Sequence, residues 1–188
     1  GVTRNLNPDV AYDPDEIRKY LRYLKARNVN MIRAQDPLWL SMCDEVGMMV
    51  FVGRYGAPKW KDAARHHAPE FDPSAVTYYK QLFAEQYMNS PSIVMWVLSN
   101  ELPSAMSETG KQYTEFLRKC YEGLKVWDPT RAYIDNAGFG LGQTGDVNDF
   151  HVYMGWYNGT TDSTYKFRHD LRALAGVPSP PTQPMTFT

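Results

Sequence analysis

Apolar residues recur along this chain in two alternating rhythms, and the alternation predicts its elements. The first rhythm is helical. Ile17, Tyr20, Leu21 and Leu24 stand three and four residues apart, which puts them on one helix face. Asp13-Pro14-Asp15-Glu16 precedes them as a start signal: an Asx cap, a first-turn proline and two acids favoured by the helix dipole. This helix is predicted to run to about Arg27. Residues 29–33 are too few for another helix and read as a buried strand. Pro37 opens a second helix through Leu38, Leu40, Met42 and Cys43, closed at Gly47. Residues 48–52 are apolar on both faces, as buried parallel strands are.

Residues 53–73 mix Gly, Pro and charge without a period and read as a long loop. Asp72-Pro73-Ser74 then starts a third helix carrying Tyr78, Tyr79, Leu82, Phe83 and Tyr87. Residues 92–98 form the strongest strand pattern of the chain, ending at Ser99-Asn100-Glu101. A fourth helix is predicted over about 107–127, with Tyr113, Phe116, Leu117, Cys120, Tyr121 and Leu124 inward. Further strands are predicted at 131–135, 149–153 and 184–188, with a helix over 163–174 before the last. Strands alternating with helices indicate an α/β fold with a parallel sheet. Two architectures fit: a doubly wound sheet, or a (β/α)8 TIM barrel lacking its first and last strands. A doubly wound nucleotide-binding sheet carries a glycine-rich turn between a strand and a helix. Gly138-Phe139-Gly140-Leu141-Gly142 lacks that spacing and opens no helix, so the incomplete barrel is favoured.

Bulk properties remove some function classes. With a net charge of −1 over 188 residues and no basic run, the chain offers no electrostatic footprint for nucleic acid or an anionic membrane. No apolar stretch approaches the roughly 20 residues that span a bilayer. Cys43 and Cys120 both fall in predicted helices, where a free cysteine is usually a small buried hydrophobe, and no disulfide is expected between them. The aromatic share of 14% includes 5 Trp and 13 Tyr, and sugars bind on aromatic faces. The tyrosines at helical spacing are expected to pack. Trp156, past a strand end and near Gly155 and Gly159, suits a sugar platform.

In a barrel the chemistry sits where strands end. Those ends read Arg33 with Gln35 and Asp36, then Arg54 and Tyr55, Asn100 and Glu101, Asp135 and Asn136, and finally His151, Tyr153 and Trp156. Glu101 is the sharpest of these, because seven buried-type residues deliver its carboxyl to the rim. A carboxyl partly out of water there keeps its proton more readily and suits a general acid. The plainer alternative is a helix cap for the segment that follows. Arg33 can orient a carboxylate through a bidentate pair, or make a structural salt bridge. His151 reads as a satisfied strand histidine or a ligand. His66-His67 has no acid or cysteine at ligand spacing, so neither a metal nor another cofactor is expected.

Together these residues carry a resemblance. Asn89-Ser90-Pro91-Ser92-Ile93-Val94-Met95-Trp96, followed by Ser99-Asn100-Glu101, resembles the "N-H-P-S-I-x-x-W-S-x-x-N-E" run of glycoside hydrolase family 2. Leu40 to Val50, with Cys43-Asp44-Glu45 and Gly47, is similar to that family's "L-C-D-E-x-G-x-x-V" helix-to-strand signature. Gly1-Val2-Thr3-Arg4 resembles its "G-V-N-R-H", and Asn28 to Arg33 its "N-x-N-x-x-R" second strand. Phe150-His151-Val152-Tyr153 with Trp156 resembles its sixth-strand segment. The resemblance implies a retaining β-glycosidase using two carboxylates about 5–5.5 Å apart. It implies that Glu101 is the acid/base, that Asn100 binds the sugar 2-hydroxyl, and that Arg33 and Tyr153 support the nucleophile. Asp36, His151 and Trp156 are further candidate substrate contacts.

Two departures stand out. The family's "R-T-S-H-Y-P" is replaced by Arg33-Ala34-Gln35-Asp36-Pro37, and its Glu and His after the third strand by Gly53-Arg54-Tyr55-Gly56. The nucleophile itself, expected as a Glu after Pro184-Met185-Thr186-Phe187-Thr188, would stand just beyond the chain. Residues 1–188 are therefore expected to form part of a catalytic barrel within a longer polypeptide that has other domains, with little activity alone. The partner implied is a β-linked oligo- or polysaccharide. A non-catalytic carbohydrate-binding or scaffold barrel is the alternative from another class, and a cellulase-like endoglycosidase shares the Asn-Glu pair. An extracellular or periplasmic setting is expected over a cytoplasmic one.

Overall fold

A computed structural model describes residues 12–53, 70–102, 108–137, 144–150 and 185–187. Helix α1 is Pro14–Lys25, and its Asp13 cap accepts from the backbone N–H groups of Asp15 and Glu16. Ile17, Leu21 and Leu24 form its buried stripe. Strand β1 is Met31–Arg33, α2 is Pro37–Val46 and β2 is Met49–Val52. Gly47 closes α2 with φ 71°, a left-handed conformation that glycine adopts without steric cost. Helix α3 spans Ser74–Tyr87, β3 Ile93–Asn100, α4 Glu108–Trp127 and β4 Ala132–Ala137. Strands β5 (Asn148–Phe150) and β6 (Met185–Phe187) follow.

β1, β2, β3 and β4 pair in that order, all parallel. A parallel bridge from Ile134 to Val147 continues the order toward β5, which pairs in parallel with β6. Six parallel strands in chain order, with helices between the first four, form part of a (β/α)8 barrel.

Two apolar layers flank the strands. The outer layer joins the helices to Ile32, Val50, Val52, Trp96, Leu98 and Tyr133. The inner layer is made of Phe51, Met95, Val97, Ile134 and Ala137 from the strands, with Val147 just before β5. Ile93 and Met95 pair with the consecutive residues Val50 and Phe51, so Val94 is one residue too many. Its effect is parity: Ile93 packs in the outer layer, whereas Met95 and Val97 enter the inner one. A one-residue shift exchanges a strand's two faces. Every residue of β3 beyond Val94 therefore takes its facing from that bulge.

The outer layer is locked at the other end of the strands. Asp128, 2% exposed, accepts from the Trp96 indole at 2.9 Å and pairs with Arg131 at 2.9 Å. Arg131 also donates to the carbonyls of Ile93 and Met88, tying the start of β3 to the end of α3. Phe83 of α3 stacks on Trp96 with centroids 4.5 Å apart, and the buried Tyr79 hydroxyl donates to the Leu98 carbonyl at 2.8 Å.

Several boundaries shift from expectation. α1 stops at Lys25 because the chain turns through Asn28 at φ 62°, which also shortens β1 to three residues. α3 is entered through Pro73, already helical at φ −52°, with the Asp72 carboxylate accepting from Ser74 N–H at 2.8 Å. β4 runs on through Asn136 and Ala137, because β3 beside it extends to Asn100 and pairs with both. The predicted helix over 163–174 lies outside the described residues.

Candidate active site

The described C-terminal strand ends bring three predicted site residues together. Arg33 ends β1, and its Nη1 donates to Asn100 Oδ1 at 2.9 Å, reaching past β2 to the end of β3. Both side chains are half-buried. The guanidinium also lies over the Phe51 ring, 5.9 Å from its centroid. Because a guanidinium only donates, the Asn100 oxygen must face Arg33, and the amide NH2 is turned elsewhere.

Glu101 follows directly. It leaves the strand at φ 53°, a left-handed conformation that is uncommon for any residue other than glycine. Its N–H donates to the Ala137 carbonyl at 2.8 Å. The next residue is held by Asn136, whose Oδ1 accepts from Leu102 N–H at 3.0 Å and whose Nδ2 donates to the Leu102 carbonyl at 3.4 Å. Glu101 is exposed in this structure, where partial desolvation was expected. The next described helix, α4, begins at Glu108.

The other predicted residues divide. Asp36 is half-buried, and its carboxylate accepts from Leu38 N–H at 2.9 Å as the cap of α2, so the structure gives it a structural task. The loop beside it is pinned by Tyr87, whose hydroxyl donates to the Gln35 carbonyl at 2.7 Å. His151, Tyr153 and Trp156 lie outside the described residues, as do Arg54, Tyr55, His66 and His67. Among the described residues, no group of three His, Cys, Asp or Glu could hold a metal ion. Cys43 and Cys120 are free and buried, and burial pushes each thiol up to about 12, which leaves neither a thiolate nucleophile at neutral pH.

Asn136 and Gly53 are the features that sequence reasoning gave no role. Asn136 stood at a predicted strand end, but its backbone-clamping geometry depends on β3 lying alongside. Gly53 follows β2 so closely against β3 that an added Cβ would meet the Val97 Cβ and lie 2.8 Å from the Val97 carbonyl oxygen. A side chain at this position would force β2 and β3 apart.

A family model described as "Glycosyl hydrolases family 2, TIM barrel domain" matches residues 10–182. The chain belongs to glycoside hydrolase family 2. A Formosa agariphila protein assigned as a beta-glucuronidase is 27% identical to it over 182 residues, 85% of this chain and 20% of that protein. The chain thus spans about a fifth of that relative's length. The barrel is also similar to a solved structure of Parabacteroides merdae beta-glucuronidase, at TM-score 0.62 and 19% identity, covering 94% of this chain and 22% of the other. A family 2 beta-galacturonidase from Eisenbergiella tayi, bound to galacturonate, matches at TM-score 0.65 and 23% identity over 93% of this chain and 31% of its own.

Within this family 2 barrel, part of the helix-to-strand signature is scaffold rather than chemistry. Asp44 accepts from the Ser90 hydroxyl at 2.6 Å and from Ser92 N–H at 2.9 Å, which fixes where β3 begins. Glu45 pairs with Arg18 of α1 at 2.8 Å.

Proposed function

We propose that this family 2 chain contributes, over residues 1–188, part of the catalytic barrel of a retaining β-glycosidase, with Glu101 as the acid/base. The observation that carries this reading is the Arg33–Asn100 hydrogen bond beside Glu101 at the C-terminal strand ends. With its oxygen committed to Arg33, Asn100 offers its amide NH2 to a sugar hydroxyl, the 2-hydroxyl by family resemblance. Arg33 is proposed to support the nucleophile carboxylate, with Tyr153 joining it there. His151, Trp156 and Asp36 are proposed to contact substrate. The nucleophile is proposed to be a Glu directly after Thr188.

The chemistry follows from two such carboxyls about 5–5.5 Å apart. The nucleophile carboxylate attacks the anomeric carbon while the glycosidic C–O bond breaks, and the departing oxygen takes the Glu101 proton. Water then attacks the same carbon, giving its proton to Glu101 as the bond to the nucleophile breaks. The substrate is a β-linked glycoside. The relatives named for glucuronides and galacturonides make uronides part of the test, beside neutral hexosides.

The test uses a polypeptide that carries this chain and its continuation, with a panel of aryl β-glucuronides, β-galacturonides, β-galactosides and β-glucosides. One class should turn over, and Glu101→Gln should lose about 10²- to 10⁴-fold, the usual contribution of a general acid. Sugar binding without turnover of any substrate would replace the catalytic reading with that of a binding module.

A further inference from the structure

The geometry points to Asn136 as the residue that positions Glu101, an inference that rests on the acid/base reading above. A glutamate in the left-handed region is strained, and it persists only where the surroundings over-determine it. Two β4 residues supply that determination. The Ala137 carbonyl takes the Glu101 N–H at 2.8 Å, directly beyond the Asn100–Ala137 pair of the β3–β4 ladder. At the next residue, Leu102, the contact from β4 is made by the Asn136 side chain. An amide carries one acceptor and an NH2 donor side by side. Asn136 presents both to the N–H and C=O of the single residue Leu102, as a neighbouring strand would.

The clamp is itself held. Asn136 is 0% exposed, and its own N–H donates to Asp135 Oδ1 at 2.6 Å. The Leu102 side chain packs against the outer layer, so the residue after Glu101 is fixed on both its backbone and its side chain. Asn136 touches no reacting atom. It sets where the Glu101 carboxyl stands relative to Asn100 and Arg33, and β4 thereby governs proton delivery at the end of β3.

Leaving-group dependence distinguishes this from a merely structural role. Departure of a poor leaving group such as phenol needs the acid's proton, whereas 2,4-dinitrophenolate departs without it. A displaced acid therefore slows the first and spares the second, while a loss of folded protein slows both equally. The measurement is kcat/KM, which reports glycosyl-enzyme formation, on phenyl and 2,4-dinitrophenyl glycosides of the sugar the enzyme accepts. It is made for wild type, Glu101→Ala, Asn136→Ala and Asn136→Asp in the full-length polypeptide. Glu101→Ala should lose about 10²- to 10⁴-fold on the phenyl glycoside. Asn136→Ala should lose roughly 10- to 100-fold on it, as misplaced catalytic groups do, and under about threefold on the dinitrophenyl glycoside. Asn136→Asp keeps the acceptor for Leu102 N–H but not the donor to its carbonyl, so it should fall between Asn136→Ala and wild type. It carries the comparison if Asn136→Ala does not fold. Equal losses on both substrates, or none on either, overturn the role of Asn136. Wild type inert toward every glycoside, or Glu101→Ala with no leaving-group dependence, overturns the acid/base reading instead.

Discussion

Removing the Asp128 carboxylate is expected to destabilise the barrel by about 4 kcal/mol. Four donors converge on it: Trp96 Nε1 at 2.9 Å, Arg131 Nη1 at 2.9 Å, Thr130 N at 3.1 Å and Thr130 Oγ1 at 2.6 Å. The Asp128 side chain is 2% exposed and that of Arg131 17%, so neither group can turn to water. Breaking such a buried pair costs about 3–5 kcal/mol, and an orphaned indole N–H about 1–3 kcal/mol. The two losses overlap and do not add. Arg131 keeps its bonds to the Ile93 and Met88 carbonyls, which brings the total to about 4 kcal/mol for Asp128→Ala. Asp128→Asn keeps an acceptor of the same shape and should cost about 2 kcal/mol. Urea unfolding of the full-length polypeptide measures this as a midpoint shift of about 1.5 M in the barrel transition for Asp128→Ala, taking a slope of about 2.5 kcal/mol/M. The pH dependence has a definite sign. Burial opposes ionisation of Asp128, but the hydrogen bonds from Thr130, Trp96 and Arg131 outweigh it and hold the carboxyl well below the usual range. A depressed folded value means stability fully present above the unfolded value of about 3.9 and lost as the pH falls through the folded one. The gap between wild type and Asp128→Asn should stay level from about pH 5 to 7 and narrow below about pH 4. A cost under about 1 kcal/mol for Asp128→Ala, or a gap that widens on acidification, would refute the reasoning.

Other consequences are equally direct. Gly53→Ala forces β2 away from the Val97 backbone and should lower stability by about 1–3 kcal/mol, read as a drop in the thermal midpoint. Arg33→Met leaves the Asn100 amide free to turn, so the preference for a glycoside over its 2-deoxy analogue should shrink by about tenfold in kcat/KM, an interaction of roughly 1–1.5 kcal/mol. Asp44→Ala strips the start of β3 of its acceptor and should cost about 1–3 kcal/mol of stability, with kcat/KM unchanged well below the melting temperature.

Much of this barrel is written locally. Asp13-Pro14, Asp36-Pro37 and Gly47 act on their own helices, and each does what its residue type predicts. The apolar run of β3 likewise announces itself, and with it the arrival of Asn100 and Glu101 at a strand end. What stays hidden depends on neighbours distant in sequence. The bulge at Val94 exists only relative to β2. The commitment of Asn100 to Arg33 spans 67 residues, and the Asn136 clamp on Leu102 spans 34. The left-handed φ of Glu101 is likewise not encoded by a string of apolar residues followed by Glu.

Azide rescue of Glu101→Ala decides the catalytic reading most directly. With a 2,4-dinitrophenyl glycoside the variant should still form its glycosyl-enzyme and then stall, because water now lacks its base. Azide needs no base, and it fits the space vacated by the carboxyl. A retaining barrel with Glu101 as acid/base predicts that azide restores turnover and that the product is the β-glycosyl azide, identified by the anomeric coupling in its NMR spectrum. Absence of rescue, an α-glycosyl azide, or a Glu101→Ala variant as active as wild type would contradict it.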